Sequence, residues 1–157
     1  MAIPEYIRWL RKQVGTDLLW LPSVSAVVLN DAGAVLLGKR SDDGRWSVIS
    51  GFVEPDEQPA AAVVREVEEE TGVIVTPERI TSVWAHPHVY PNGDRCQYLN
   101  IGFRCRPVRG EARVNDDEST EVRWFSPDDL PPLDEHATLT IERARADVPE
   151  TWFVPPA

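Results

Sequence analysis

The chain has 157 residues, of which 42% are hydrophobic and 27% are charged, and this size and composition fit one globular domain with a buried core. Its formal net charge of −10 argues against a broad basic surface for nucleic acid or anionic lipid, and no apolar run approaches the ~20 residues that cross a membrane. Since the 2 cysteines, Cys96 and Cys105, provide neither a disulfide framework nor a metal-binding pair, we expect a cytoplasmic protein.

The first part of the chain alternates helical and extended patterns. Apolar residues recur at helical spacing over residues 4–14, which predicts an N-terminal amphipathic helix. Residues 23–30 and 34–39 are apolar runs separated by turn residues, and this arrangement predicts a β-hairpin. A short strand is expected at residues 46–49.

A second helix is predicted to start near Glu57 and to end at Thr71. Asp56 is suited to cap its free N–H groups, and Pro59 is tolerated in a first helical turn. Gly72 follows at the point where a left-handed residue often ends a helix.

The second part of the chain is predicted to be mostly extended. Asn92-Gly93 is the strongest short-range hairpin signal and joins two of its strands. The strands expected here are residues 73–75, 80–89, 95–106 and 121–125, and a final helix is expected over residues 135–146. This order predicts a single α/β domain over residues 1–157, in which helices cover both faces of a mixed central sheet as an α/β/α sandwich.

Three glutamates share one side of the second predicted helix. With ~100° per residue, Glu69 and Glu70 lie about −60° and +40° from Glu66, beside the apolar stripe. Anions in the last turns of a helix cost ~0.3–1 kcal/mol each, because the helix dipole and their mutual repulsion disfavour them. A divalent cation removes both penalties, and carboxylates are ligands that Mg²⁺ accepts. The pattern therefore predicts a metal site, with a solvated acidic face as the alternative.

The segment from Gly51 to Val73 resembles the Nudix box, G-x5-E-x7-R-E-U-x-E-E-x-G-U, in which U is an apolar residue. Every fixed position is met, by Gly51, Glu57, Arg65, Glu66, Glu69, Glu70 and Gly72. The resemblance implies the Nudix fold and a bacterial, Mg²⁺-dependent hydrolase in which Mn²⁺ can substitute. Its substrate would be a nucleoside diphosphate linked to another moiety: ADP-ribose, a dinucleoside polyphosphate, a nucleotide sugar or a (d)NTP.

The same resemblance implies roles for the residues of the box. Glu66, Glu69 and Glu70 would hold the metal together with the backbone carbonyl of Gly51, although Ile49-Ser50-Gly51 stands where Pro-Gly-Gly is frequent. Glu66 would orient or deprotonate the attacking water.

Two further acidic residues and an arginine complete the implied site. Arg65 would pair with Glu57 and hold the start of the helix against the ligand end, as a member of the catalytic group with Glu66 and Glu69. Family members often draw another acid from a loop before a late strand. Glu118 is the candidate here, and a solvated acidic loop is the alternative. Gly72 would let the chain leave the helix.

The residues that select the substrate carry weaker signals. Arg40, Arg45 and Arg95 are among the basic residues able to reach phosphates, whereas Trp46 and Tyr90 are aromatic residues able to stack on a base. Solvation or ordinary packing is the alternative for each. Pro87 is placed as in relatives that cleave ADP-ribose and Tyr90 as in relatives that cleave dinucleoside polyphosphates, so the choice between these substrates stays open.

Two other functions belong to the same family resemblance. A non-catalytic nucleotide-binding module usually lacks some of the box acids, and all of them are intact here. An isomerase acting on allylic diphosphates would need a reactive cysteine and further histidine ligands. The N-terminal helix is expected to expose Trp9 and Leu10 unless something covers it, which favours a homodimer.

Overall fold

The computed structural model describes residues 3–157 and contains three helices and eight strands within them. In chain order these are α1 (Glu5–Val14), β1 (Leu19–Val28), β2 (Val35–Arg40), β3 (Trp46–Ser47), β4 (Ile49–Phe52), α2 (Pro59–Thr71), β5 (Ile74–Val89), β6 (Arg95–Arg109), β7 (Ser119–Phe125), α3 (Glu135–Arg145) and β8 (Trp152–Phe153). None of these helices is long and apolar enough to cross a membrane.

The strands form two sheets. A five-stranded mixed sheet has the order β4-β1-β6-β5-β8, in which β1 runs parallel to β6 and β5 runs parallel to β8. A smaller antiparallel sheet has the order β3-β2-β7. The predicted mixed central sheet is confirmed, and the smaller sheet packs beside it.

Helices cover both faces of the central sheet because side chains alternate along its strands. Val24 of β1 packs in one core with Val63 and Val67 of α2. Its neighbour on the opposite face, Val27, packs in a second core with Ile141 of α3. The predicted α/β/α sandwich is therefore confirmed.

The N-terminal helix forms where the sequence predicted it and adds a third, smaller core. Ile7 of α1 packs on Leu19, Cys96 and Tyr98 of the central sheet. Leu10 also packs against this cluster, so the sheet covers the side of the helix that carries it. Trp9 is exposed, as expected, because it lies on the opposite side of the helix.

The turn predicted between the first two strands forms, but the two strands do not pair with each other as a hairpin. Asn30 Oδ1 accepts hydrogen bonds from the amides of Ala32 and Ala34, which closes the turn. Beyond it, only the bridge between Leu29 and Val35 joins the two strands in the described part of the chain. The two edges of β1 are occupied by β4 and β6, so β2 pairs with β3 and β7 instead.

The helix that carries the acidic residues begins two residues later than predicted. Asp56 lies in the left-handed region at φ 66°, in the turn before the helix, so it does not cap α2. Gln58 is the N-cap, Pro59 is the first helical residue, and Gly72 ends the helix in the left-handed region at φ 71°. The predicted end of the helix is therefore confirmed and its predicted cap was wrong.

Three further differences concern strand boundaries. The strand predicted at residues 46–49 is divided, because β3 pairs in the smaller sheet and β4 in the central one. The strands predicted at residues 73–75 and 80–89 are one strand, β5, with irregular register between its two parts. The two-residue edge strand β8 was not predicted, since its pairing with β5 leaves no pattern in so short a segment.

We expect Leu36→Ala to lower the free energy of unfolding by about 2–5 kcal/mol, because Leu36 is fully buried and its removal leaves a cavity. Urea unfolding measures this loss. Leu18→Ala is the control, since Leu18 is 49% exposed, and a comparable loss in both variants would contradict the packing described above.

Candidate active site

Three carboxylates converge at the C-terminal half of α2. One carboxylate oxygen from each of Glu66, Glu70 and Glu118 can be chosen so that all three lie within 4.8 Å of one another. Glu66 and Glu70 are one helical turn apart and are only 2% and 6% exposed. Glu118 comes from the segment between β6 and β7, just before Ser119 starts β7.

Gly51 of β4 forms the wall against which Glu66 packs. A Cβ atom at position 51 would lie 2.0 Å from Glu66 Cδ and 2.2 Å from Glu66 Oε1. No residue with a side chain fits there without moving the Glu66 carboxylate. The sequence pattern that requires glycine here therefore has a steric explanation.

Arg65 connects α2 with the residues around it. Its Nε and Nη2 donate to the two oxygens of Glu57 at 2.8 and 2.9 Å. Its Nη2 also donates to the carbonyl of Phe52 at 3.1 Å, and its Nη1 donates to Glu66 Oε1 at 2.7 Å. The guanidinium group thus fixes the segment before the helix, the end of β4 and one oxygen of Glu66 relative to one another.

Glu69, a predicted metal ligand, lies beside this group rather than within it. Its side chain is 51% exposed, and its Oε2 accepts a hydrogen bond from Arg65 Nη1 at 3.2 Å. The helical wheel explains the difference, because Glu69 and Glu70 lie ~100° apart and only Glu70 points at the loop that carries Glu118. The structure therefore groups Glu118, rather than Glu69, with Glu66 and Glu70.

The electrostatics of the three carboxylates are unfavourable without a cation. Burial raises the pKa of Glu66 to about 7 and that of Glu118 to about 7, and it raises the pKa of Glu70 well above its ordinary value. By contrast, the hydrogen bonds from Arg65 lower the pKa of Glu57. Buried carboxylates that repel one another are stabilised by a bound cation.

The donor set fits a hard divalent cation. Three carboxylates from two elements supply oxygen ligands of the kind that Mg²⁺ and Mn²⁺ accept. Among residues 3–157, no group donates a hydrogen bond to Glu66 Oε2, although this oxygen is buried. A cation or a water held by a cation would satisfy it.

A cleft opens from this acidic group toward α1. Glu70 and Glu118 line it together with Phe52 and Tyr90. Arg40, at the end of β2, is the arginine in this lining, and its Nε donates to Asp42 Oδ1 at 2.9 Å. The cleft therefore places one cationic side chain and two aromatic rings next to the carboxylates.

The predicted substrate-contacting residues separate into two groups. Tyr90 lines the cleft, and its hydroxyl oxygen lies 2.6 Å from that of Tyr98. Arg45 is 71% exposed, Trp46 packs edge-to-face on Phe125 with ring centroids 4.8 Å apart, and the carbonyl of Arg95 accepts a hydrogen bond from Arg11. These last three residues do not line the cleft.

The sequence did not indicate which of the basic residues lines the cleft, and the structure shows that Arg40 does. Lys39 and Arg40 are adjacent, and a strand sends neighbouring side chains to opposite faces. Lys39 pairs with Glu121 of β7, whereas Arg40 points into the cleft. The register of β2 against β7 decides this, and a single sequence does not reveal that register.

The fold and site have counterparts among known structures. The structure of an ADP-ribose pyrophosphatase from Streptococcus suis superimposes with a TM-score of 0.64 and 30% sequence identity, over 85% of this chain and 98% of that one. The architecture is therefore that of the Nudix hydrolases. The model of the NUDIX domain family matches residues 19–146, and the chain belongs to this family.

Two curated bacterial proteins are similar to this chain in sequence. A MutT-like protein from Streptomyces ambofaciens is 39% identical over 108 residues, which are 69% of this chain and 65% of that protein. The NAD-capped RNA hydrolase NudC of Pseudomonas putida is 35% identical over 136 residues, which are 81% of this chain and 46% of that protein. The alignments thus span about half to two thirds of the length of these relatives.

We expect the stability of the metal-free protein to depend on the ionisation of Glu66. Its folded-state pKa of about 7 lies above its ordinary value of 4.5, so the folded state binds the proton more tightly than the unfolded state does. The contribution of Glu66 to stability is therefore greatest below pH 4.5 and is lost as the pH rises through about 7.

Urea unfolding of the wild type and of Glu66→Gln in EDTA, across this pH range, measures that contribution. The free energy of unfolding of the wild type should fall relative to that of Glu66→Gln as the pH rises. A difference between the two proteins that stays constant with pH would contradict the raised pKa.

Proposed function

We propose that this Nudix protein is a Mg²⁺-dependent hydrolase, with Mn²⁺ able to substitute, that cleaves a phosphoanhydride bond in a nucleotide-type substrate. The observation that carries the proposal is the group formed by Glu66, Glu70 and Glu118, whose oxygens lie within 4.8 Å of one another. Such a group is costly in an empty site and becomes a phosphate-binding site when a divalent cation neutralises it.

We assign the cation to Glu66, Glu70 and Glu118, with Glu69 and the carbonyl of Gly51 at the margin of the site. When bound, Mg²⁺ would screen the charge of the phosphates and lower the pKa of a nearby water. Hydrolysis would join the oxygen of a water to phosphorus, break the bridging P–O bond and release one proton of the water, for which Glu66 is the proposed acceptor.

Arg65 and Glu57 act on this chemistry through Glu66. Arg65 Nη1 holds Glu66 Oε1 at 2.7 Å, so Oε2 is the oxygen left for a cation or for the attacking water. The two bonds from Arg65 to Glu57 prevent the guanidinium group from rotating. We therefore propose that this pair keeps the catalytic carboxylate in one orientation.

The substrate that we propose is a small molecule containing a nucleoside diphosphate linked to another group. ADP-ribose, dinucleoside polyphosphates, nucleotide sugars and (d)NTPs share this chemistry, and the ADP-ribose pyrophosphatase from S. suis supports the first. The name of the P. putida relative adds NAD-capped RNA as a competing substrate. The formal net charge of −10 favours the small molecules, because a long RNA would be repelled.

A substrate panel tests the reaction and its specificity. It comprises ADP-ribose, diadenosine polyphosphates, nucleotide sugars, dNTPs and NAD-capped RNA, each with Mg²⁺ and scored by the identity of the products. Release of a nucleoside monophosphate or of pyrophosphate supports the hydrolase. Binding of these compounds without any product would instead support a nucleotide-binding regulatory module.

Other features of the chain support proposals about its state in the cell. Cys96 and Cys105 are both free and buried, which favours a reducing, cytoplasmic location. The exposed rings of Tyr6 and Trp9 stack on one side of α1 at 6.2 Å and offer a surface for a homodimer. Sedimentation of the wild type and of Trp9→Ala would test the dimer.

We expect Glu70→Gln to lower kcat by at least ~100-fold while the protein stays folded, because the change removes one charged ligand from the cation site and conserves shape. Steady-state kinetics with Mg²⁺ and circular dichroism measure the two effects. Glu68→Gln is the matched control, since Glu68 is exposed on the same helix. Near-full activity in Glu70→Gln would refute the assignment.

We expect Arg40→Ala to raise KM about 10-fold or more with a smaller change in kcat, because a charge-assisted hydrogen bond to a phosphate is worth ~1.5–3 kcal/mol. Arg45→Ala removes the same charge outside the cleft and should leave KM unchanged. Equal effects of the two substitutions on KM would exclude a specific phosphate contact at Arg40.

A further inference from the structure

The segment between β6 and β7, residues 110–118, runs across the C-terminal end of α2. We call it the capping segment. The last carbonyls of a helix lack partners within the helix and need donors from elsewhere. Here the amide of Arg113 donates to the carbonyl of Thr71 at 3.0 Å, and the amide of Asn115 donates to the carbonyl of Glu70 at 3.1 Å.

The side chains of the capping segment also face this helix end. The Nδ2 of Asn115 donates to the carbonyl of Glu68 at 3.0 Å. The Arg113 guanidinium packs so closely on Gly72 that a Cβ there would lie 2.7 Å from Arg113 Nη1. An arginine and three amide donors thus oppose the negative end of the helix dipole, where four glutamates already lie in the last two turns of α2.

Asn115 joins the two elements that carry the acidic group. Its backbone amide donates to the carbonyl of Glu70, whose own carboxylate belongs to that group, and its side chain donates to the carbonyl of Glu68 in the same turn of α2. Glu118 follows three residues later, after a turn in which the Asp116 carboxylate accepts the amide of Glu118 at 3.0 Å. On the far side, Ser41 donates its amide to the carbonyl of Glu118 at 2.8 Å.

From this geometry we infer that Asn115 is a positioning residue for the divalent-cation site: by anchoring the capping segment to the end of α2, it places the Glu118 carboxylate against Glu66 and Glu70. The inference rests on the proposed function, since it assumes that these three carboxylates bind a cation. It adds a residue outside the Nudix box on which cation affinity depends.

Coupling between the capping segment and the cation follows from thermodynamic linkage. If docking of the segment brings Glu118 into the site, the docked form binds the cation more tightly than the undocked form. The cation must then stabilise docking by the same factor. Hydrogen exchange of the amides of Arg113 and Asn115 should therefore slow when Mn²⁺ binds.

The decisive experiment is a double-mutant cycle read out as the dissociation constant for Mn²⁺, from electron paramagnetic resonance of the free ion. The proteins are the wild type, Asn115→Ala, Glu118→Gln and the double variant. Loss of the Asn115 side-chain hydrogen bond should raise the dissociation constant about three- to tenfold. In the Glu118→Gln background the same change should have an effect of less than about twofold, because the residue that it positions no longer carries a charge.

Asn30→Ala is the matched control. It removes a loop asparagine whose side chain also closes a local turn, and Asn30 lies at the end of β2 opposite to Arg40 and the cleft. Urea unfolding should show that Asn30→Ala and Asn115→Ala both reduce stability, whereas only Asn115→Ala changes the affinity for Mn²⁺.

The outcomes separate this inference from the function on which it rests. A wild type that does not bind Mn²⁺ would overturn both. A wild type that binds Mn²⁺ would leave the metal site standing, and the role of Asn115 would then be overturned by any of three results. The first is an unchanged affinity for Mn²⁺ in Asn115→Ala. The second is a double variant in which the effects of Asn115→Ala and Glu118→Gln on the dissociation constant multiply. The third is an equal loss of affinity in Asn30→Ala.

Discussion

Bringing Glu66, Glu70 and Glu118 together at the end of a helix requires the fold to oppose both charge repulsion and burial. Each surrounding element offsets part of that cost. Arg65 neutralises one oxygen of Glu66, and Gly51 leaves space for its carboxylate. The donors of residues 110–118 satisfy the terminal carbonyls of α2. A divalent cation bound by the three carboxylates would reduce their repulsion further.

The two-sheet arrangement is what gives this acidic group access to a cleft. β4 lies at the edge of the central sheet beside β1, and the chain enters it directly from β3 of the smaller sheet. The gap between the sheets opens next to Glu70 and Glu118, where Arg40 of β2 and Phe52 of β4 line it. A single continuous sheet would have filled this space with paired strands.

The sequence predicted best those features that depend on contacts within one element. The acidic side of α2, its end at Gly72 and the Asn92-Gly93 turn follow from spacing along the chain alone. Features that depend on distant contacts were open or wrong. Glu118 was only a candidate because its approach to α2 depends on residues 110–118, which the spacing of the Nudix box does not describe. Asp56 was predicted to cap α2, but it lies in the left-handed region in the turn before Pro59, and Gln58 is the N-cap.

The closeness of Gly51 to Glu66 divides the molecule into a part that tolerates sequence change and a part that does not. Gly51 and Arg65 hold Glu66 in place, so a side chain at position 51 would displace its carboxylate. The cleft walls come instead from strand ends and turns, including Phe52 and Tyr90, whose side chains make no hydrogen bond to Glu66 or Arg65 among the described residues. During evolution, substitutions in such cleft walls can change what the cleft accepts while the carboxylates stay in place.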